Sequence, residues 1–287
     1  MILLLLAIVC SAALPLLFRA FDDLRVNLFW AIPANYFVCI VVGGFFVPPQ
    51  HASVPIAQPW FVFAILQGIV LAVNFYLLAY TAQRAGVSVA VLASRLSVAI
   101  PAILAFVLYG DALNAMKIVG LATALSSLYL CTGTGPRFGV RPLWLRRVLP
   151  VLVFVMFGCH FTLLKFTQAR YLDSSSNHLY VTIAFLFAFV TSVAAVLGKI
   201  RAGKIAIRAR DFVAGGTLGL INYGAIYFLV KVLSLEGWQS SQLFPIYSVS
   251  VVSVSSLLAM ILFKERLSRL KTFGLVIGLV AVALLNR

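Results

Sequence analysis

Charged side chains are scarce in this sequence. Only 10% of its 287 residues are Asp, Glu, Lys or Arg, whereas 63% are hydrophobic, and the mean hydropathy is +1.09. A surface in contact with water needs far more polar side chains than this composition supplies. The composition therefore excludes a water-soluble fold and predicts an integral membrane protein, whose solvent is the lipid bilayer.

Acidic residues are the rarest charges, and none falls in the middle of a long apolar run. All seven stand at predicted helix ends or in loops: Asp22, Asp23, Asp111, Asp173, Asp211, Glu236 and Glu265. This placement argues against a cation exporter that works through a mid-membrane carboxylate. The four cysteines lack metal-ligand spacing, so we expect no metal and no cofactor.

Motifs for catalysis and for ATP hydrolysis are also missing. No GxxxxGK[ST] loop is present, and no connection between apolar runs is long enough to hold a nucleotide-binding domain. No nucleophile stands in a recognisable arrangement with a base or with converging carboxylates. We therefore expect that the protein is not an enzyme. An intramembrane enzyme or a lipid-handling protein is the alternative of another class.

Ten apolar runs are long enough to cross a bilayer, which takes roughly 20 residues of helix. They lie at residues 2–18, 28–48, 59–80, 87–109, 114–132, 147–167, 179–198, 212–233, 242–263 and 270–285. This pattern predicts an all-α, multi-pass membrane protein with ten transmembrane helices. We expect it in the inner (plasma) membrane of a bacterium.

Basic residues outnumber acidic ones by 22 to 7 and give a formal net charge of +15. No basic patch is interleaved with aromatic residues on a soluble stretch, so we expect no nucleic-acid partner; the lipid bilayer is the expected partner of these charges. Sixteen basic residues lie in the loops after odd-numbered helices, and five lie on the opposite side. By the positive-inside rule, both termini are then extracytoplasmic.

An internal repeat relates the two halves of the chain. Residues 107–130 align without a gap to residues 261–284, at an offset of 154. A second match, at an offset of 151, pairs Gly68, Tyr76, Leu78 and Gly86 with Gly219, Tyr227, Leu229 and Gly237. Helices three, four and five thus correspond to helices eight, nine and ten. The chain is predicted to form two five-helix repeats, 1–136 and 137–287, and an odd helix number inverts the second relative to the first.

The acidic turns after helices four and nine, at residues 109–113 and 263–268, are each followed by a glycine, Gly120 and Gly274. These segments resemble the closing signature of the EamA-type repeat in the drug/metabolite transporter superfamily, and the resemblance covers essentially the whole chain. It implies a cavity near the bilayer midplane, lined by helices one, three, four, six, eight and nine, with helices five and ten outside. Asp111 departs from the glutamate usual in that family, which also usually keeps both termini in the cytoplasm.

Polar side chains gather in the helices to which the resemblance assigns the cavity. The residues that we expect to contact the substrate there are Asn74, Tyr76, Asn222, Tyr223 and Tyr227. An amide is costly to bury in lipid without a partner, which favours a functional role for the two asparagines. The alternative is that these side chains only pack helices together.

Arg95 lies about 5 Å from the centre of predicted helix four, at 1.5 Å per residue. A charge there costs about 2.5–3.5 kcal/mol on insertion scales. A guanidinium facing a wet cavity offers a planar fork for a carboxylate or phosphate, which predicts an anionic group on the substrate. The alternative is a structural network with Ser94 and Ser97, or with carbonyls freed by Pro101.

His160 lies near the centre of predicted helix six. Histidine is the side chain that changes charge near neutral pH, so His160 is a candidate for substrate contact and for proton-linked transport. A buried neutral imidazole with a structural role is the alternative.

Together these features predict a secondary transporter that moves a small polar or amphipathic metabolite, amino-acid-like or an organic anion, by alternating access. The alternative within transport is an exchanger of phosphorylated or nucleotide-linked metabolites, which would need several cations in its cavity. The patterns Gly120-x-x-x-Ala124 and Gly274-x-x-x-Gly278 suit close helix packing inside a monomer. A homodimer face is the alternative reading of the same pattern.

Overall fold

The computed structural model describes residues 2–46, 56–85, 87–108, 115–132, 143–173, 176–201, 208–235, 239–263 and 269–285. Within these ranges every regular element is an α-helix, as predicted. The eleven helices are α1 Ile2–Asp23, α2 Leu28–Phe46, α3 Trp60–Ala85, α4 Val87–Leu96, α5 Ala99–Leu108, α6 Ala115–Thr132, α7 Leu143–Tyr171, α8 Asn177–Arg201, α9 Ala209–Leu233, α10 Ser240–Phe263 and α11 Arg269–Leu285. The acidic turns at 109–113 and 264–268 lie outside the described residues.

Six helices of the described chain are long and apolar enough to cross a membrane. Their spans are Leu28–Phe46, Trp60–Thr81, Val148–Tyr171, Asn177–Ile200, Ala209–Leu233 and Gln242–Leu262. Shorter apolar helical stretches, of 10–17 residues, occur at Ile2–Phe18, Ala93–Leu104, Ile118–Leu130 and Thr272–Ala281. The expectation of a multi-pass helical membrane protein is thus confirmed for six of the ten predicted spans.

The fourth predicted helix is not continuous, which corrects the prediction of one helix over residues 87–109. A turn at Ser97 and Val98 separates α4 from α5. Pro101 has no N–H, so it cannot donate to the carbonyl of Ser97 as a helical residue would. The amide of Ile100 donates to that carbonyl instead, at 3.0 Å, and the Ser97 hydroxyl donates to the Ser94 carbonyl at 2.6 Å. The missing amide of Pro101 and the local hydrogen bonds of Ile100 and Ser97 therefore accompany the break between α4 and α5.

The helices form two compact units, and the first comprises Met1–Phe75 and Phe166–Ser234. In it, α9 packs along α1 and α2, and α8 packs along α2. Glycines allow this contact: a Cβ at Gly215 would meet the carbonyl oxygen of Ala31, and a Cβ at Gly219 would meet that of Asn35. The backbones of α2 and α9 therefore touch along one seam.

The second unit comprises Tyr76–Lys165 and Leu235–Arg287. In it, α6 packs along α11, and the Ser127 hydroxyl donates to the carbonyl of Gly274 at 2.7 Å. A Cβ at Gly278 would lie 2.7 Å from both the Ser127 hydroxyl and the Val249 side chain. The small residues of the last helix thus serve internal packing, in agreement with the sequence. The predicted repeats, 1–136 and 137–287, remain a prediction, and each compact unit takes helices from both.

Candidate functional site

The structure divides the predicted substrate residues between the two units. Asn74, Asn222, Tyr223 and Tyr227 belong to the first unit, whereas Tyr76, Arg95 and His160 belong to the second. The residues of the two units are therefore described separately.

Arg95 stands in the last turn of α4, directly before the helix break. Its half-buried guanidinium interacts electrostatically with the hydroxyl of Tyr247, a side chain of α10 that is 3% exposed. The carboxyl end of a helix carries partial negative charge, which favours a cation at this position. A broken helix thus presents a cation and a phenol inside the second unit.

The two serines proposed as structural partners of Arg95 donate their hydroxyls to backbone carbonyls of their own segment. The Ser94 hydroxyl donates to the Val91 carbonyl at 2.9 Å, and the Ser97 hydroxyl donates to the Ser94 carbonyl. Within the described ranges, no Asp or Glu side chain makes an ion pair with Arg95. The charge of Arg95 is therefore not neutralised by a carboxylate in this part of the chain.

His160 lies in the packed interior of the second unit. The side chain is 4% exposed, and its ring meets the edge of the Phe161 ring at a centroid distance of 4.9 Å. Phe161 in turn contacts Phe244 of α10 at 5.7 Å. Tyr76 is half-buried on α3. These contacts fit the structural reading of His160, and its role in proton coupling stays a prediction.

Asn222 forms an amide pair with Asn35, a residue that the sequence reasoning missed. The Nδ2 of Asn222 donates to the Oδ1 of Asn35 at 3.2 Å, and both side chains are at most 2% exposed. The Cys39 thiol donates to the Gly219 carbonyl at 3.2 Å on the same seam. Asn35 carried the same signal as Asn222, an amide inside an apolar helix, but helix two was not assigned to the cavity. Asn74, on α3, is also buried.

Tyr223 and Tyr227 belong to a cluster of four rings at one end of the first unit. Their rings are stacked at 5.7 Å, and Phe46 lies 6.4 Å from Tyr223 and 6.2 Å from His178. The Tyr227 hydroxyl is 2.7 Å from the Nε2 of His178, and the Lys231 ammonium is 5.7 Å from the Tyr227 ring centre. Hydroxyl, imidazole, ammonium and ring faces therefore meet at this end, which suits an amphipathic ligand.

His178 was missed because the sequence placed it in the loop before helix seven. In the structure α8 begins at Asn177, two residues earlier than predicted, so His178 occupies the first turn. Its ring centre lies 4.3 Å from that of Tyr227. A two-residue error at a helix end therefore hid one member of the cluster.

A cleft of about 520 Å³ in the second unit contains none of the predicted substrate residues. Its lining is mostly apolar: Leu96, Ala99, Leu125, Ser126, Tyr129, Leu130 and Phe154. The Ser126 hydroxyl donates to the carbonyl of Ala122 at 2.8 Å, within its own helix. Among the residues that the structure describes, no three His, Cys, Asp or Glu side chains are grouped to hold a metal ion.

Over the described residues, the chain forms helices, six of them able to cross a membrane, with buried polar positions in both units. No family model matches the chain. An uncharacterized protein of Haemophilus influenzae is 25% identical over 284 residues, which cover 96% of this chain and 94% of that relative. A crystal structure superposes on 99% of this chain and 94% of its own, with a TM-score of 0.76 at 17% identity. The fold is therefore one that occurs in an experimentally determined structure.

Proposed function

We propose that the protein is a secondary transporter that moves a small polar or amphipathic metabolite, amino-acid-like or an organic anion, by alternating access of two inverted five-helix repeats. Its membrane is the inner membrane of a bacterium. Ten helical spans, with α4 and α5 together as the fourth, constitute the repeats.

One observation carries this proposal: two glycines that the repeat aligns make equivalent contacts. A Cβ at Gly68 of α3 would meet the carbonyl oxygen of Ala184 in α8. A Cβ at Gly219 of α9 would meet the carbonyl oxygen of Asn35 in α2. In the repeat, α3 corresponds to α9 and α2 to α8, so exchanging the halves converts one pair of contacting helices into the other. The equivalence supports a two-fold relation between the repeats.

Helix pairing supports the same relation. The helices α2 and α8, which are second in each repeat, pack together, and so do α5 and α10, which belong to the fourth position. The helices α6 and α11, fifth in each repeat, pack along each other. Side-by-side packing of equivalent helices is expected near a pseudo-two-fold axis.

The broken fourth helix supports the substrate class. Interrupted helices form the binding sites of many transporters, because they free backbone groups and expose helix ends inside the protein. Here the break follows Arg95, whose guanidinium interacts electrostatically with Tyr247. A guanidinium and a phenol suit a substrate with an anionic group and a hydrogen-bond acceptor.

The test is transport by purified protein in liposomes, with amino acids, organic anions, nucleosides and phosphorylated compounds as candidate substrates. A charge-assisted hydrogen bond contributes about 1.5–3 kcal/mol, so Arg95→Gln should lower substrate affinity roughly ten- to a hundred-fold. Arg95→Lys keeps the charge but loses the fork, and we expect an intermediate loss. Arg170→Gln, which removes an exposed arginine at the end of α7, is the matched control.

The outcomes separate the proposals. Transport by the wild type and the control, with loss in both Arg95 variants at an unchanged unfolding temperature, supports the site. Full transport by Arg95→Gln would show that Arg95 does not belong to the substrate site. Uptake of phosphorylated compounds alone, by counter-exchange, would favour the exchanger instead.

A further inference from the structure

Four exposed basic side chains gather at one end of the first unit, and we call them the basic rim: Arg25, Lys199, Arg208 and Arg210. Arg25 belongs to the turn between α1 and α2, Lys199 to the last turns of α8, and the other two to the start of α9. Arg210 and Lys199 contact the segment from Arg25 to Trp30, and Arg208 lies two residues before Arg210. The rim is thus assembled by the fold from three separate parts of the chain.

The rim has little acidic compensation among the described side chains. Asp211 is fully buried, and its Oδ1 accepts a hydrogen bond from the backbone amide of Asn27 at 2.8 Å. The Nε of Arg210 stands 3.9 Å from the same oxygen. Asp23, at the end of α1, is the described acid that is exposed nearby. The exposed surface at this end is therefore net positive.

Lys199 is held by a group that leaves its charge available, whereas Arg210 is held by a carbonyl oxygen and by the ion pair with Asp211. The Nη2 of Arg210 donates to the carbonyl oxygen of Arg25 at 2.8 Å. The ammonium of Lys199 stands 3.3 Å from the centre of the Phe29 ring. A carbonyl oxygen or a ring face orients a cation without cancelling it. The rim is therefore ordered and still able to pair with an anion.

An apolar surface adjoins the rim on the next residues of α9. Phe212 is 43% exposed and Val213 is 69% exposed, and the Phe212 ring lies 5.6 Å from that of Trp30. Exposed apolar side chains therefore lie within one helical turn of the cation Arg210. A phospholipid carries a phosphate and apolar acyl chains in one molecule, which matches a cationic surface beside an apolar one.

We propose that the basic rim binds the phosphate of an anionic phospholipid, whose acyl chains lie along Phe212 and Val213. The helices α8 and α9 are long and apolar enough to span a bilayer, and the rim lies at their adjoining ends, where headgroups are found. A soluble phosphate would match the cations but leave the exposed Phe212 and Val213 without a partner. The proposal does not depend on what the protein transports.

Native mass spectrometry of the full-length protein, released from detergent micelles with phosphatidylglycerol and phosphatidylcholine at equal concentration, tests this proposal. We expect the wild type to retain phosphatidylglycerol about tenfold better. The double variant Lys199→Gln/Arg210→Gln should retain both lipids equally, and Arg208→Gln should show a smaller loss of preference. If the double variant does not fold, the lipid preference of Arg208→Gln alone tests the proposal.

Arg170→Gln is the control, because it removes an exposed arginine near the start of α8, at the opposite end of a helix about 37 Å long. It should leave the preference unchanged. An equal loss of lipid preference in the control would show that the preference depends on the net charge of the protein and not on the basic rim. Unchanged retention in a folded rim variant, or displacement of the lipid by millimolar inorganic phosphate, would overturn the proposal.

Discussion

Replacing Gly219 by alanine would place a methyl group against the backbone of α2. The added Cβ would meet the carbonyl oxygen of Asn35 and would lie 2.9 Å from the Cβ of Val38. Neither atom can rotate away, because one belongs to the main chain and the other is attached directly to it. The helices α2 and α9 would therefore have to separate.

The magnitude follows from three terms. Overpacking a close contact costs about 1–3 kcal/mol. Separation also weakens the Asn222–Asn35 and Cys39–Gly219 hydrogen bonds, which we take as about 1 kcal/mol together. Alanine is favoured over glycine inside a helix by about 1 kcal/mol, which offsets part of the loss. The net effect is a destabilisation of about 1–3 kcal/mol, or a fall of roughly 4–8 °C in unfolding temperature for 2 kcal/mol.

Gly216→Ala is the matched control on the same helix. Its added Cβ would meet only the Val38 side chain, at 3.9 Å, which is an ordinary van der Waals contact. The helix preference of alanine then acts alone, and we expect a rise of about 2–4 °C. Thermal unfolding in one detergent, followed by tryptophan fluorescence, measures both variants. If both shift in the same direction, α2 and α9 are not in backbone contact as described.

The glycine that the repeat aligns with Gly219 extends the same prediction to α3. A Cβ at Gly68 would meet the carbonyl oxygen of Ala184 and would lie 2.8 Å from the amide nitrogen of Ala188. Gly68→Ala should therefore lower the unfolding temperature by an amount similar to that for Gly219→Ala. A stabilised Gly68→Ala variant would contradict the proposed equivalence of the two contacts.

Two further predictions concern topology and coupling. Single cysteines placed at residues 2 and 286, in a variant without the native cysteines, should react with an impermeant reagent from the same side of the membrane; labelling from opposite sides would refute the ten-helix inverted repeat. If His160 takes part in proton-linked transport, His160→Gln should abolish the pH dependence of uptake in liposomes. Its unfolding temperature should stay within a few degrees of the wild type. An unchanged pH profile would assign His160 to packing.

The class of protein could be predicted from the sequence because it follows from bulk physical chemistry. Apolar runs of about 20 residues have to be helices in lipid, where no water satisfies an exposed backbone group. The glycines of α11 could also be assigned to close packing, since only small residues let two membrane helices approach. Both inferences need composition and spacing alone, and neither depends on which helices are neighbours.

The break in the fourth helix could be predicted only in part. Pro101 indicated freed carbonyls, but a proline inside a membrane helix can also leave it continuous, as Pro245 does in α10. At the break in the fourth helix, the Ser97 hydroxyl and the Ile100 amide make local hydrogen bonds.

What the sequence by itself determined is therefore the helical membrane class, the approximate spans and the small-residue contacts. The tertiary structure decided the partners: Asn35 for Asn222, His178 for Tyr227 and Tyr247 for Arg95. A helix such as α2 is apolar on nearly every side, so its periodicity does not indicate how it is rotated about its axis. Rotation and depth are set by the packing of neighbouring helices, and this is why polar partners distant in sequence could not be identified before the fold was known.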